Sequence, residues 1–521
     1  MATVCALDVG TSRIKALLLT EQLAPVQPPV IAPSVLSLPA PAVAEVDPEA
    51  LWGQVLAVLR RVAGAGGRPE ALAISNQRAT ALPTDDSGRP YGPALSWQDT
   101  RGSEDLQRWL DRVGRRRFAE ITGLAPSTIW SVAKILWWVE QGLPAGARIA
   151  TLQDWLLRRL GAPGWTLDHA NGSLVGLMDI RKLTWDEDLL RAAGLTPGQL
   201  PALSPSGVRV GALSSQVAAA TGLPAGMPLV LGGGDQQCSA LGLGVLQPGT
   251  VAVNLGTAGV VGVPTGQPVI DPRGRLVCLA HVVRGRWVLE GLEETYGGAQ
   301  HWGYDLLGRD PVELAAEAPL GSRGLLFLPY LAGSGAPDYD ARAHGVVLGL
   351  SLAHTGSDLA RALLEGITIE LVRILDVARE LLGAGRPAPN EATSAASSRR
   401  QACEPDSASS KGPRFALVAS GGGARRPLLL AMLSGLAGLP VTEAVETESS
   451  LVGAGLLAWV GLRRWPAAEQ AAAVLPAGGK TIYPNPAEAD TYRALYRRYL
   501  NALAALRQGG LLALEERGPD G

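Results

Sequence analysis

The chain has 521 residues, of which 47% are apolar, 18% charged and 5% aromatic. At roughly 100–200 residues per domain, this length predicts two to four domains, each with enough apolar residues for a core. The formal net charge of −2 gives no basic excess, which argues against a nucleic acid or an anionic membrane as partner. The 64 glycines and 38 prolines are too few to indicate disorder throughout, so we expect a loop-rich globular protein.

The four cysteines (Cys5, Cys238, Cys278 and Cys403) are scattered along the chain. They lack the short spacings of zinc sites and of small disulfide-bonded folds, so we expect reduced thiols and a cytoplasmic protein. The longest apolar stretch covers residues 428–441 and is interrupted by Ser434, Gly435 and Gly438. A membrane span needs about 18 apolar residues, so we expect none.

The first predicted element is a β-hairpin. Apolar runs at residues 4–7 and 14–19 flank the turn Asp8-Val9-Gly10-Thr11-Ser12, whose backbone amides could face a ligand. A similar hairpin lies about half a chain later, where runs at 251–253 and 260–263 flank Asn254-Leu255-Gly256-Thr257-Ala258-Gly259. The shared Gly-Thr turn predicts an internal duplication, with chance similarity of short turns as the alternative.

The remaining elements follow the apolar periodicity. We predict helices over residues 50–62, 132–141 and 357–382 and from about Pro427, and strands over 71–74, 228–231 and 415–419. Residues 384–413 are rich in Ala, Ser, Pro and Arg without an apolar period, which predicts a surface insertion or a disordered loop.

The strand at 228–231 leads into three glycines and then Asp235, at the expected start of a helix. Glycines let a ligand approach the backbone closely. A carboxylate at the carboxyl end of a strand can accept a proton from a substrate hydroxyl. The alternative is that Asp235 merely caps the helix.

Two further segments suit phosphates. Asp8, the turn hydroxyls and Lys15 lie within eight residues, a combination that suits a magnesium-bound polyphosphate, although an ordinary surface hairpin is the alternative. Gly421-Gly422-Gly423 follows a predicted strand and would suit a nucleotide, although such a turn also makes a simple tight connection.

The order of these motifs resembles the FGGY family of carbohydrate kinases. Asn76-Gln77-Arg78, Trp97-Gln98-Asp99-x-Arg101 and Phe327-Leu328-Pro329-Tyr330 are also similar to that family, and the resemblance covers about residues 3–463. It implies an α/β fold of two ribonuclease H-like domains of the actin/hexokinase superfamily, with ATP and sugar meeting in the interdomain cleft. We expect an N-terminal sugar-binding domain at 1–243, a C-terminal nucleotide-binding domain at 244–483 and a tail at 484–521.

The resemblance also implies roles for individual residues. Asp235 would be the general base that deprotonates the acceptor hydroxyl, and Asp8 with Asp235 would hold Mg²⁺. The groups facing ATP would be Thr11, Ser12, Lys15, Gly256 and Thr257 at the phosphates, and Gly297, Gly422 and Gly423 at the adenosine. The acceptor would meet Gln77, Arg78, Trp97 and Asp235.

The acceptor loops differ from those of named subfamilies. Ala79 stands where glycerol kinases have a glutamate and Ile129 replaces their tyrosine, whereas xylulose kinases have Gln-Met-His where this chain has Gln77-Arg78-Ala79. We expect a ketopentose such as xylulose, with glycerol or another polyol as the alternative. A non-catalytic, actin-like ATP-binding scaffold is the second alternative. The expected partner is this small molecule, without nucleic acid or membrane, in a monomer or homodimer.

Overall fold

The computed structural model describes residues 1–64, 66, 68–144, 146–384, 415–446, 448–475 and 478–513. The chain forms two compact units: unit 1 comprises Met1–Leu246, Thr265–Val288 and Glu448–Pro476, and unit 2 comprises Gln247–Pro264, Leu289–Thr447 and Ala477–Gly521. Unit 1 thus includes two segments from the second half of the sequence. The boundaries expected at 243/244 and 483/484 stay a prediction, and the insertion expected at 384–413 lies outside the described residues except for Ala384.

The strands of the first half belong to unit 1. They are β1 (Thr3–Val9), β2 (Arg13–Thr20), β3 (Val30–Pro33), β4 (Leu36–Ala40), β5 (Val43–Val46), β6 (Leu72–Asn76), β7 (Ala81–Thr84), β8 (Ala94–Leu95), β9 (Arg148–Thr151), β10 (Thr166–Asp168), β11 (Met178–Asp179), β12 (Thr184–Trp185), β13 (Ala202–Ser204), β14 (Arg209–Ala212) and β15 (Pro228–Gly234). The central sheet has the order β14-β15-β6-β1-β2-β3, and a second sheet has the order β4-β5-β8-β7-β9.

The later strands are β16 (Thr250–Leu255), β17 (Gly259–Thr265), β18 (Val277–Ala280), β19 (Trp287–Glu293), β20 (Leu326–Leu328), β21 (Val346–Leu348), β22 (Ala416–Ser420), β23 (Val441–Glu443) and β24 (Thr481–Ile482). The helices are α1 (Pro48–Gly64), α2 (Ser103–Val113), α3 (Arg115–Thr122), α4 (Ser131–Glu140), α5 (Leu152–Leu160), α6 (His169–Ser173), α7 (Glu187–Ala192), α8 (Ser215–Thr221), α9 (Asp235–Gly242), α10 (Tyr296–Leu307), α11 (Pro311–Ala316), α12 (Gly356–Leu381), α13 (Pro427–Ala437), α14 (Ser449–Gly461), α15 (Ala468–Ala472) and α16 (Ala489–Gln508).

The central sheet of unit 1 is covered on both faces, which explains the unbroken apolar run at residues 4–7 of β1. Cys5, Leu7 and Val9 join one buried cluster with residues of α1 and α5. Val4 and Ala6 point to the opposite face and join a second cluster with residues of α9 and α14. Alternate side chains of a strand lie on opposite faces, so a strand with a core on each side carries apolar residues at every position.

The two units repeat one topology. In unit 1, β1 pairs antiparallel with β2 and parallel with β6, and β15 is parallel to β6 and antiparallel to β14. In unit 2, β16 pairs antiparallel with β17 and parallel with β22, and β23 is parallel to β22 and antiparallel to β24. This correspondence supports the predicted internal duplication.

The predicted elements are present with shifts of a few residues at their ends. The sequence did not predict α16, which buries Tyr492, Leu495, Tyr496, Tyr499 and Leu503 on one face. The three cysteines within the described residues are buried and unpaired, as expected. In the described part of the chain, no helix combines the length and apolarity needed to cross a membrane.

Candidate active site

Three parallel strands of unit 1 bring the predicted acidic and acceptor-side residues to one edge. Strands β15, β6 and β1 lie side by side, and Ser75 of β6 is opposite both Asp8 and Gly233. Their carboxyl ends therefore meet at the same edge of the sheet, where ligands bind in open α/β sheets. Asp8 lies near the end of β1, Gln77 and Arg78 follow β6, and Asp235 follows β15.

Asp8 is a buried carboxylate held by two hydroxyls. Its side chain accepts hydrogen bonds from Ser75 Oγ at 2.7 Å and from Ser450 Oγ at 3.1 Å. Burial, followed by the negative charge of Asp235, raises the pKa of Asp8 from 3.8 to about 6, whereas Lys15 and the hydroxyls oppose this shift. A bound cation near both carboxylates would relieve this repulsion.

Lys15 lies opposite Asp8 across the β1–β2 hairpin. Its ammonium donates to Glu448 Oε2 at 2.6 Å, and both side chains are about one-fifth exposed. The N–H groups of Gly10 and Gly256 close their own turns onto Arg13 O and Ala258 O. Both amides therefore have partners within their own turns.

Asp235 is the first residue of α9, and Gly234 occupies the N-cap position without a side-chain capping bond. The Asp235 side chain is 30% exposed, its Oδ1 lies 3.4 Å from Arg78 Nε, and Oδ1 accepts from Gln236 N at 2.8 Å. The capping alternative requires Asp235 at the N-cap position, whereas Gly234 occupies that position and Asp235 lies inside the helix.

The three glycines before Asp235 serve the protein's own packing. A Cβ on Gly232 would lie 1.9 Å from Ile74 O, one on Gly233 would lie 2.2 Å from Val282 Cγ1, and one on Gly234 would lie 2.7 Å from Arg78 Cδ. Protein atoms fill this space, so the expectation that the glycines leave room for a ligand is wrong. They allow β15 to approach its neighbours closely and so place Asp235.

Thr11 joins the predicted acceptor residues. Its hydroxyl donates to Gln77 Oε1 at 2.9 Å and accepts from Trp97 Nε1 at 3.0 Å. Within the described residues, the Nε2 atoms of Gln77 and Gln237 are buried without a hydrogen-bond partner. Buried donors of this kind normally have partners, so these two, one residue before Arg78 and two residues after Asp235, are candidates for a hydrogen bond to a ligand. Gln237 was not among the predicted site residues.

A buried network of hydrogen bonds includes the main chain of Gln77. Asn76 Nδ2 donates to Gln77 O at 2.7 Å, and Asn171 Nδ2 donates to Asn76 Oδ1 and Asp168 Oδ2. Burial raises the pKa of Asp168 to about 6, with the Asn171 hydrogen bonds acting against the shift. The polar run from Asp168 to Ser173 was a detectable signal in the sequence, but its link to Gln77 was not.

Lys134 was also not among the residues predicted from the sequence. It is 1% exposed within α4, and its ammonium donates to Trp97 O at 3.2 Å, Ile129 O at 3.0 Å and Thr128 O. The available signal was one lysine in an apolar helix of a chain that has five lysines.

In unit 2, the second hairpin turn packs against the start of α10. Gly297 N donates to Thr257 O at 2.8 Å, and a Cβ on Gly297 would lie 2.5 Å from Gly256 O. Gly423 lies against Leu255, whose Cβ would be 2.9 Å from an added Cβ, whereas a Cβ on Gly422 would meet nothing within 4 Å. The structure therefore brings together Gly256, Thr257 and Gly297. It places Gly423 beside Leu255, the last residue of β16.

Gly297, Gly422 and Gly423 line one cavity of about 350 Å³ in unit 2. Its wall also includes Gln300, Tyr304, Asp310 and Arg426, and the last two form an ion pair. This volume lies within the range of small-molecule sites, roughly 300–1,000 Å³. The sequence predicted the glycines of this cavity but not the polar side chains.

Comparison with known proteins identifies the family. The model of the FGGY carbohydrate kinase N-terminal domain matches residues 3–242, and that of the C-terminal domain matches residues 251–462. The chain belongs to the FGGY family of carbohydrate kinases. Kinases of this family are ATP-dependent phosphotransferases, so the predicted enzyme class and the actin/hexokinase-like two-domain fold are confirmed.

The relatives of this chain are named as kinases of different acceptors. The chain is 32% identical to the glycerol kinase of Citrifermentans bemidjiense in an alignment that covers 88% of this chain and 90% of that one. It is 26% identical to the gluconokinase of Bacillus subtilis in an alignment that covers 95% of this chain and 94% of that one. The structure of ligand-bound xylulose kinase from Lactobacillus acidophilus matches with a TM-score of 0.87 at 23% identity, covering 97% and 99%. These comparisons support a sugar or polyol kinase without selecting one acceptor.

Proposed function

We propose that Asp235 is the general base that takes the proton from the acceptor hydroxyl as it attacks the γ-phosphorus of ATP. The observation that carries this proposal is the position of Asp235, partly exposed at the carboxyl edge of β15 beside Arg78. The chain neighbour of Arg78, Gln77, and its contact Gln237 each have an Nε2 atom without a partner. A positioned base typically contributes 10²–10⁴-fold in rate. Alignment and charge neutralisation supply the rest, because phosphoryl transfer needs little covalent help.

The proposal for the nucleotide concerns the glycine-lined cavity and the groups expected at the phosphates. We propose that the adenosine occupies the cavity lined by Gly297, Gly422 and Gly423, and that Lys15 contacts the phosphates together with the Thr11–Ser12 turn and with Gly256 and Thr257. In this proposal, Lys15 exchanges Glu448 for phosphate oxygens when ATP binds. The side-chain hydroxyl of Thr11 already bonds Gln77 and Trp97, so its contact with ATP would come from the main chain.

The donor set fits Mg²⁺. Mg²⁺ commonly uses one or two carboxylates together with substrate phosphates and water, and Asp8 and Asp235 provide two carboxylates whose charges interact. Among the described residues, no group of three or more His, Cys, Asp or Glu side chains is placed so that it could hold a metal ion. When bound, Mg²⁺ would neutralise charge on the phosphates.

For the acceptor, we propose a ketopentose such as xylulose. Ala79 is buried, lies in the left-handed backbone region at φ 56° and offers no side-chain oxygen at the position of the glutamate of glycerol kinases. A hydroxyl left without that partner would cost about 1–3 kcal/mol, which disfavours glycerol. The small side chain also leaves room for a longer acceptor.

Glycerol is the second candidate acceptor. The observation that favours it is the relationship at 32% identity to a protein named glycerol kinase. In that case, the Gln77 and Gln237 amides would have to supply the hydroxyl contacts that Ala79 lacks.

The test is ADP release from Mg-ATP with ketopentoses, glycerol, other polyols and aldonates as acceptors. We expect the highest kcat/KM for a ketopentose, and we expect Asp235→Asn to lower kcat by 10²–10⁴-fold while ATP still binds. Asp111→Asn, at an exposed aspartate of the same unit, is the control and should leave kcat unchanged.

Each part of the proposal has its own contrary result. A higher kcat/KM for glycerol than for any ketopentose would replace the acceptor assignment but keep Asp235 as base. Full kcat in Asp235→Asn would overturn the role of Asp235. ATP binding without turnover on any acceptor would favour the scaffold alternative.

A further inference from the structure

Lys134 is a buried cation whose hydrogen-bonding capacity is fully used. Its neighbours along α4 are Val132, Ala133, Ile135 and Leu136, all buried. An unpartnered ammonium would be very costly in such surroundings. Here the three donors of the ammonium meet three backbone carbonyls, those of Trp97, Thr128 and Ile129.

The three carbonyls belong to two separate loops. Trp97 follows β8, whereas Thr128 and Ile129 lie in the segment before α4. One side chain therefore ties both loops to the helix. Asp99, in the first loop, is held independently by Ala44 N at 2.9 Å and by the Arg101 guanidinium.

A chain of hydrogen bonds leads from this point to the acceptor residues. Trp97 accepts from Lys134 through its carbonyl and donates through its indole Nε1 to Thr11 Oγ1, which in turn donates to Gln77 Oε1. These contacts connect the Trp97 backbone to the Gln77 amide, whose Nε2 atom has no partner.

We propose that Lys134 is a positioning residue for the acceptor: its ammonium fixes the main chain at Trp97 and at 128–129 and so sets the Trp97 indole and the Gln77 amide. This inference rests on the proposed function, in which Trp97 and Gln77 contact the acceptor. Lys134 itself is buried and is not a catalytic residue.

Packing alone does not require an amine at this position. Methionine has a similar length, and volume-conserving substitutions in cores are usually tolerated. The three carbonyls do require a donor, since a buried acceptor left without a partner is penalised. Burial lowers the pKa of Lys134 to about 7, opposed by the charge of Asp99. Desolvation thus disfavours the charged form of Lys134, whereas the charge of Asp99 favours it.

The experiment compares acceptor and nucleotide kinetics in the full-length protein. For Lys134→Met, we expect the acceptor KM to rise about tenfold while the KM for ATP changes less than twofold. Lys134→Gln keeps two N–H donors and should give an intermediate acceptor KM. Lys182→Met, at an exposed lysine of the same unit, is the matched control and should match the wild type.

A double variant tests whether Lys134 acts through Trp97. We expect the effects of Lys134→Met and Trp97→Phe on the acceptor KM to be less than additive. If Lys134→Met does not fold, as judged by its melting curve, the acceptor KM of Lys134→Gln decides, with a rise of about threefold expected.

An unchanged acceptor KM in a folded variant would overturn the positioning role, and so would an equal rise in both KM values. Wild-type turnover with the same acceptor is measured alongside. Failure of this inference alone therefore leaves the assignment of Asp235 intact.

Discussion

Replacing Asp8 with asparagine should stabilise the protein and reduce its activity. Asp8 is 7% exposed, and burial and the negative charge of Asp235 disfavour the charge of its carboxylate. Asparagine keeps the shape and removes the charge. It can also keep both serine contacts, because a hydroxyl can donate to the amide oxygen or accept from the amide nitrogen.

The magnitude follows from the two pKa values of Asp8. A shift from 3.8 to about 6 corresponds to about 3 kcal/mol of folding free energy when the carboxyl is ionised in both states. Because the folded pKa is the higher one, wild-type stability falls as the pH rises from about 4 to about 6, and the full penalty persists above. The advantage of Asp8→Asn should therefore be at most about 3 kcal/mol at pH 7.5, about half of that at pH 5, and absent below the unfolded pKa.

The assay is the melting temperature of ligand-free wild type and Asp8→Asn at pH 7.5 and pH 5. We expect a gain of several degrees at pH 7.5 that shrinks at pH 5. Kinase activity with Mg-ATP should fall at least about tenfold, because the variant lacks a proposed magnesium ligand. Asp111→Asn should change neither quantity.

The reasoning about Asp8 is refuted by either of two results. One is an Asp8→Asn variant that melts at or below the wild type at pH 7.5. The other is a gain that persists undiminished at pH 5, since a benefit independent of pH could not come from removing a titrating charge.

Two further variants probe the nucleotide and acceptor sides. Gly297→Ala should raise the KM for ATP severalfold, because its Cβ would lie 2.5 Å from Gly256 O. Gly298→Ala is the control and should have little effect, because its Cβ would meet nothing within 4 Å. Equal KM values for ATP in the two variants would show that the contact of Gly297 with Gly256 does not shape the site. Trp97→Phe removes the hydrogen bond to Thr11 and should raise the acceptor KM a few-fold without changing the KM for ATP, and a change in the KM for ATP alone would contradict this assignment.

The sequence by itself determined the family, the main strands and helices, and most of the charged and glycine positions proposed for the site. Local information sufficed for these features. The apolar runs around Asp8 and Asn254 predict hairpins whatever they pack against, and Asp235 follows a strand because an apolar run ends just before it.

Tertiary structure decided which of these residues meet. The glycines before Asp235 look like ligand space in the sequence, but Ile74, Val282 and Arg78 occupy it. Long-range contacts of this kind depend on the register between β15 and β6, which no local pattern encodes.

Dependence on long-range contacts also explains why the sequence did not predict the roles of Lys134 and Gln237. A lysine in an apolar helix gives no sign of which carbonyls it will meet, because those carbonyls belong to loops placed by other elements. Whether the Gln237 amide has a partner likewise depends on every group packed around it. Residue type and local pattern predicted what each segment forms, but only three-dimensional packing determined the hydrogen-bond partners that give the candidate site its chemistry.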